Sequence, residues 1–127
     1  MSRELKKIEK LFASLMEQPT HVFPRSGERL KVTIEQGVYV ILDPKSRPAH
    51  VGRTLRGKKG LAQRLNNHLH AQSSFALHYL NSDGSKLREK YRFRFLEVSD
   101  PRSRALLEAY AIAHLCPAHL GLGEDAA

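Results

Sequence analysis

The chain has 127 residues, which gives room for one domain, 1–127, around one modest hydrophobic core. With 41% hydrophobic and 27% charged residues it has the composition of a soluble globular protein, and no apolar run approaches the roughly 20 residues of a membrane span. A single cysteine, Cys116, excludes an internal disulfide and therefore the disulfide-built extracellular scaffolds. The charged N-terminus lacks the apolar stretch of a secretory signal, so we expect a cytoplasmic protein without a membrane partner.

Positive charge is concentrated in one part of the sequence. The 21 Lys and Arg against 13 Asp and Glu give a net charge of +8, and nearly all of this excess lies between positions 44 and 82, where no carboxylate occurs. Such a stretch attracts nucleic-acid phosphates, although it could also be a solvated basic surface or be attracted to an anionic membrane. The residues that we expect to bind nucleic acid are Lys45, Arg47, Arg56, Lys58 and Lys59.

The first 36 residues form a predicted N-terminal extension of one helix and one strand. Apolar residues at 5–16 recur with the 3.6-residue spacing of an amphipathic helix, which Pro19 ends. Segment 22–35 indicates a loop followed by a half-buried strand. In that strand the apolar positions that alternate with polar ones are Leu30, Val32 and Ile34.

The next elements are a hairpin and a helix. The β-branched and aromatic run 37–42 stops at a polar turn, and 49–52 supplies the returning strand. Leucines spaced by four residues predict a helix from about position 60. Arg64 and His68, also four residues apart, project from one face of that helix.

A strand and a helix complete the predicted core, 37–121. Aromatic and arginine residues alternate over 91–98, and Asp100 followed by proline begins a helix that extends to Leu115. Glu108 lies among apolar residues of that helix and therefore needs a cation, an ion pair such as the one Arg104 could offer, or an edge position. We expect an α/β (α+β) fold with a small antiparallel sheet of about three strands flanked by helices, and a flexible tail at 122–127.

The order β-β-α-β-α and the residues on it resemble the GIY-YIG nuclease superfamily. Gly37-Val38-Tyr39 is similar to the first tripeptide of that family, and His50-Val51-Gly52 is similar to the second. The resemblance implies a divalent-metal-dependent endonuclease that cuts DNA with Mg²⁺ or Mn²⁺ and leaves a 5′ phosphate and a 3′ hydroxyl. The catalytic residues that it implies are Tyr39, His50, Arg53, Arg64, His68 and Glu108, with Glu108 as the metal ligand.

Two positions depart from the family pattern. His50 stands where the second tripeptide usually begins with tyrosine, and Leu120 stands where an asparagine is expected about twelve residues after the glutamate. An imidazole still carries a proton, so His50 is an alternative to Tyr39 as the base. Whether His119 takes the place of the asparagine is left open.

The residue types permit phosphodiester hydrolysis but also simpler roles. Tyr39 is a poor base at its ordinary pKa near 10 and needs Arg53, Arg64 or a metal to lower that pKa. Taken singly, these side chains could be ordinary core and surface residues. The alternative functions are a catalytically weakened or inactive nucleic-acid-binding module and a protein-interaction domain, and a partner protein could supply target selectivity. The remaining metal-ligating types, which we interpret as packing residues, are His114, Cys116 and His119.

Overall fold

A computed structural model describes residues 2–55, 58–70, 72–88 and 90–120. The helices are α1 (Arg3–Glu17), α2 (Gly60–Leu69) and α3 (Pro101–Leu115), with a π-helical turn at Phe75–Tyr79 and a 3₁₀ turn at Gly84–Leu87. The strands are β1 (His21–Val22), β2 (Gly37–Leu42), β3 (Pro48–Arg53) and β4 (Arg92–Glu97). Two expectations, the flexible tail at 122–127 and a nucleic-acid contact at Arg56, lie outside the described residues.

The four strands form one antiparallel sheet in the order β1-β4-β2-β3. The predicted fold class, a small antiparallel sheet flanked by helices, is therefore confirmed, with the two-residue β1 as an addition to the three predicted core strands. Chain order through β2, β3, α2, β4 and α3 is the predicted β-β-α-β-α.

The central strand β2 is buried on both faces because helices cover both sides of the sheet. Tyr39 and Ile41 point into a core that includes leucines of α2, whereas Val38 and Val40 point into a second core with residues of α1 and α3. This alternation is what directs Tyr39 toward α2.

The strand expected within 22–35 is absent, and only His21–Val22 pairs with β4. Ile34, predicted to be half-buried, is 58% exposed. The backbone carbonyls of Thr33 and Glu35 instead accept hydrogen bonds from the first amides of α2, at Ala62 and Leu61. The first amides of a helix have no acceptor within the helix, and these two carbonyls bond to them instead of to a neighbouring strand.

Helix α3 begins where the sequence predicts. The Asp100 side chain accepts a hydrogen bond from the Ser103 amide, and proline occupies the first turn. The helix ends at Leu115, as predicted, and Cys116 follows in a left-handed conformation. No helix in the described part of the chain has the length and hydropathy needed to cross a membrane.

Candidate active site

The hydroxyl of Tyr39 lies in the core between β2 and α2. Its oxygen is 2.6 Å from Nε2 of His68, and both side chains are fully buried. Across the sheet Tyr39 faces Gly52, where a Cβ atom would lie 2.3 Å from the hydroxyl oxygen. The glycine of the second tripeptide therefore provides the space that the tyrosine of the first one occupies.

The hydrogen bonds of this group run in one direction. Arg64 acts on the Tyr39 hydroxyl as a nearby cation, and because a guanidinium can only donate, we assign the phenol proton to the contact with His68 Nε2. The neutral imidazole then carries its proton on Nδ1, which lies 2.6 Å from Ser73 Oγ. That hydroxyl oxygen also accepts the amide of Ala76, so Ser73 is held in place.

Burial sets the protonation states of this pair. It raises the pKa of the Tyr39 phenol well above its ordinary value, and the neighbouring Arg64 opposes this effect without overcoming it. Burial is the main cause that holds the pKa of His68 well below 6.5, and the electrostatic influence of His50, Arg64 and His119 acts in the same direction. The expected lowering of the Tyr39 pKa is therefore found for Arg64, but desolvation outweighs it, so the net shift in the protein alone is upward. At neutral pH a phenol donates to a neutral imidazole.

Glu108 forms an ion pair with Arg53. Arg53 Nε lies 2.9 Å from Glu108 Oε1, and both side chains are partly exposed. The contact joins the end of β3 to the middle of α3. The alternative pairing with Arg104 is wrong, because the buried Arg104 guanidinium donates to backbone carbonyls. These acceptors are the carbonyls of Thr54, Leu55, Val98 and Ser99.

One cavity of about 350 Å³ brings three of the predicted site residues together. Arg53, Arg64 and Glu108 line it, and the charges of Arg64 and Glu108 act on the hydroxyl of Tyr39, which is itself fully buried. The other lining residues are Thr54, Leu55, Gly60, Gln63 and Asn67. Two guanidiniums and one carboxylate beside a phenol can bind a phosphate group and, through the carboxylate, a cation.

His50 lies on the inner side of this group rather than in the cavity lining. It is 6% exposed, its ring centroid is 5.2 Å from that of His68, and its Nδ1 is 3.0 Å from Nδ1 of His119. His119 is itself buried, and its backbone amide donates to the carbonyl of Ala49 in β3. Leu120, at the position expected for asparagine, is 44% exposed. After α3, it is therefore His119 and not the exposed Leu120 that contacts His50.

The expected nucleic-acid contacts are divided between the two ends of the hairpin. Lys58 and Lys59 are exposed and line a cavity of about 650 Å³ that shares Gln63 and Asn67 with the first cavity. Lys45 and Arg47 lie in the turn between β2 and β3, at the end opposite Arg53. Arg47 is paired there with Asp43, 2.8 Å from Nε to Oδ2.

A single carboxylate is compatible with magnesium, which keeps several waters and takes one or two carboxylates together with substrate phosphates. Glu108 is the residue that would hold the ion. Within 2–55, 58–70, 72–88 and 90–120, no group of three or more His, Cys, Asp or Glu side chains could hold a metal. Of the three residues interpreted as packing residues, His119 is buried and His114, although exposed, stacks its ring 4.2 Å from that of Tyr110. The interpretation is wrong for Cys116, which is exposed.

Sequence reasoning missed Ser73, Gln63 and Asn67. Ser73 is the most consequential, since it holds the second nitrogen of His68. A serine five residues after a histidine carries no recognisable signal. Asn67 lies three residues after Arg64, so the α2 face that includes Arg64 could have been extended to it, whereas Gln63, one residue before Arg64, carries no such signal.

No protein-family model matches the sequence, and a search of curated proteins finds no match. A GIY-YIG domain is similar to this chain in structure. It is the N-terminal endonuclease domain of UvrC from Thermotoga maritima, bound to its catalytic divalent cation, magnesium. The TM-score is 0.49 with 21% sequence identity, over 92% of this chain and 96% of that chain. This likeness does not establish a family or an activity. The function is therefore argued from the chemistry of the site residues.

Proposed function

We propose that the protein is a divalent-metal-dependent endonuclease that hydrolyses phosphodiester bonds in DNA. The observation that carries the proposal is the cavity in which Arg53, Arg64 and Glu108 meet beside the Tyr39 hydroxyl. These groups include the types that phosphodiester hydrolysis requires: cations for the phosphoryl oxygens, a carboxylate for a divalent ion and a path for a proton.

Arg64 and Arg53 bind the scissile phosphate in this proposal. Arg64 has the planar fork that matches phosphate oxygens, and it lines the cavity while its charge acts on the Tyr39 hydroxyl. When substrate and metal bind, Arg53 would leave its ion pair with Glu108 and contact the phosphate, so that Glu108 could bind the metal. A magnesium ion held by Glu108 would stabilise negative charge on the phosphate and lower the pKa of a bound water.

Tyr39 takes the proton of the attacking water and passes its own to His68. Ionisation of the phenol without a partner is unfavourable because burial raises its pKa. Transfer along the 2.6 Å contact to Nε2 of the neutral imidazole avoids a free phenolate, and the contact of Ser73 with Nδ1 leaves Nε2 as the accepting nitrogen. His50 contacts the far side of His68 and is proposed as a positioning residue, not as the base.

DNA is the proposed substrate because the cavity continues toward Lys58 and Lys59, whose charges complement a phosphate backbone. By the family resemblance we propose products with a 5′ phosphate and a 3′ hydroxyl. A partner protein is the proposed source of target selectivity.

A second candidate is a nucleic-acid-binding module without turnover. Two observations favour it: Glu108 is neutralised by Arg53, and Tyr39 is buried with a raised pKa. A site that binds phosphate without activating water would need neither a free Glu108 carboxylate nor an ionisable Tyr39. A binding module would retard DNA on a gel and leave its length unchanged.

The deciding experiment is nicking of supercoiled plasmid with and without Mg²⁺ or Mn²⁺. Wild-type protein should nick only with the ion, and Glu108→Gln should lose cleavage by about a hundredfold or more while still binding DNA. The matched control is Glu97→Gln, which removes an exposed carboxylate of β4 and should cleave like wild type. Cleavage by Glu108→Gln at the wild-type rate would contradict the metal assignment. Binding without nicking in any ion would favour the second candidate.

A further inference from the structure

A third cavity lies at the other edge of the sheet from Arg53. Its volume is about 770 Å³, within the range of about 300–1,000 Å³ that small-ligand sites occupy. It shares no lining residue with the cavity of Glu108. The lining residues are His21, Val22, Phe23, Pro24, Arg25, Glu28, Arg29, Leu30, Lys31 and Phe93.

The wall of this cavity is a shaped loop, 23–31. The Arg88 guanidinium, through Nη1, donates to the carbonyls of Pro24, Arg25 and Glu28 at 3.2, 3.0 and 3.3 Å. At its start the Phe23 ring is buried against Phe93, with centroids 4.8 Å apart. A loop held by one arginine and one aromatic anchor is organised before any ligand binds, which reduces the entropy cost of binding.

The open side of the cavity combines positive charge with an exposed ring. Arg29 and Lys31 are exposed, and with Arg25 they outnumber the one carboxylate, Glu28. The exposed His21 ring stacks on Phe95, with centroids 5.6 Å apart and an angle of 24° between planes. Cations beside a backed aromatic face are the pattern that binds phosphates and unstacked bases of a single strand.

We propose that this cavity is a second nucleic-acid-binding site that takes a single-stranded DNA segment. Arg29 and Lys31 contact its phosphates, and a base stacks on His21. A duplex fits less well because its bases are already stacked and its cylinder does not enter a concave pocket. The site lies on the same side of the sheet as Tyr39, since Phe23 and Phe93 belong to the core that contains Tyr39. It extends the proposed substrate contacts beyond the cleavage site.

The test is binding of a fluorescent dT₁₂ oligonucleotide to the full chain in EDTA, measured by anisotropy at several salt concentrations. Arg29→Gln with Lys31→Gln should weaken binding about tenfold and reduce the salt slope by about 1.4, or about 0.7 for each lost phosphate contact on a single strand. His21→Ala should weaken it about tenfold through loss of stacking. The matched control, Lys6→Gln with Lys10→Gln, removes two exposed charges from α1 and should stay within about twofold.

Three results would overturn the proposal. The first is equal loss of affinity in the control pair, which would mean that only net charge matters. The second is wild-type binding by both cavity variants. The third is a 12-base-pair duplex that binds as well as dT₁₂ and loses the same affinity in the cavity variants. Because EDTA prevents metal-dependent cleavage, a failure of the proposed nuclease activity leaves this result unaffected, and the reverse also holds.

Discussion

Gly52 and Tyr39 are direct partners across the β2–β3 pair, and the tyrosine hydroxyl occupies the space that a side chain at position 52 would fill. The two tripeptides therefore depend on each other through packing, because Tyr39 of the first needs the glycine of the second. The ring of Tyr39 reaches His68 only because the opposite strand has no Cβ atom at this point.

Gly52→Ala should move the Tyr39 ring. We expect the free energy of unfolding to fall by about 1–3 kcal/mol, as for other overpacked cores, and cleavage to fall at least about tenfold because the contact with His68 is lost. Urea denaturation and plasmid nicking measure the two effects. Adding Tyr39→Leu should restore part of the stability, since the clash is with the ring; strict additivity of the two losses would show that the clash is not the cause.

His68 should make stability depend on pH. Its folded pKa is held well below 6.5, so below about pH 6.5 the unfolded chain binds a proton that the folded protein excludes. Stability is therefore complete above about pH 6.5 and falls as the pH decreases, by up to about 1.4 kcal/mol per pH unit. Urea denaturation between pH 7 and pH 5 should show this slope in wild type and in the exposed-histidine control His78→Gln. A slope that persists unchanged in His68→Gln would assign it to other groups.

Arg53→Gln should strengthen metal binding and weaken cleavage. The substitution releases Glu108 from its ion pair, so we expect Mn²⁺ affinity to rise several-fold, while loss of a phosphate contact lowers cleavage at saturating Mg²⁺ by about tenfold or more. Calorimetric titration with Mn²⁺ measures the affinity. Arg47→Gln, which breaks the pair with Asp43, is the control. Unchanged Mn²⁺ affinity in Arg53→Gln would argue that Glu108 is not the ligand.

Arg104→Met should destabilise the fold without changing the charge pattern of the cavity. Arg104 is 4% exposed and serves carbonyls of two separate segments, after β3 and before α3. Leaving those acceptors unpaired should cost about 3 kcal/mol of unfolding free energy, read from the urea midpoint. Arg102→Met removes an exposed arginine of the same helix, α3, that pairs with Glu4 of α1, and it should cost less than about 1 kcal/mol. Equal losses would contradict the role of Arg104.

Local signals account for the elements that the sequence predicted correctly. The β-branched run of β2, the Asp100 cap of α3 and the leucine spacing of α2 each determine structure within a few residues. Alternation at 29–35 was misleading, because the carbonyls there bond to α2, a contact that hydrophobic spacing does not encode. Periodicity reports which side chains prefer burial, and it does not report where a backbone finds its partners.

The site was predictable in its residue types but not in its pairings. Tyr39, Arg64 and Glu108 could be named from motif order, yet the contact of Arg53 with Glu108 spans 55 positions and depends on how α3 packs on β3. The raised pKa of Tyr39 likewise follows from complete burial, which no spacing reveals.

The segment after α3 closes the outer edge of β3. The amides of Ala118 and His119 bond to the carbonyls of Pro48 and Ala49, so part of the last strand of the sheet is shielded from pairing with another chain. His119 also contacts His50. A change that detaches this segment would expose the edge of β3 to pairing with another chain and would also remove the contact of His119 with His50. Self-association and loss of the proposed cleavage activity should therefore occur together.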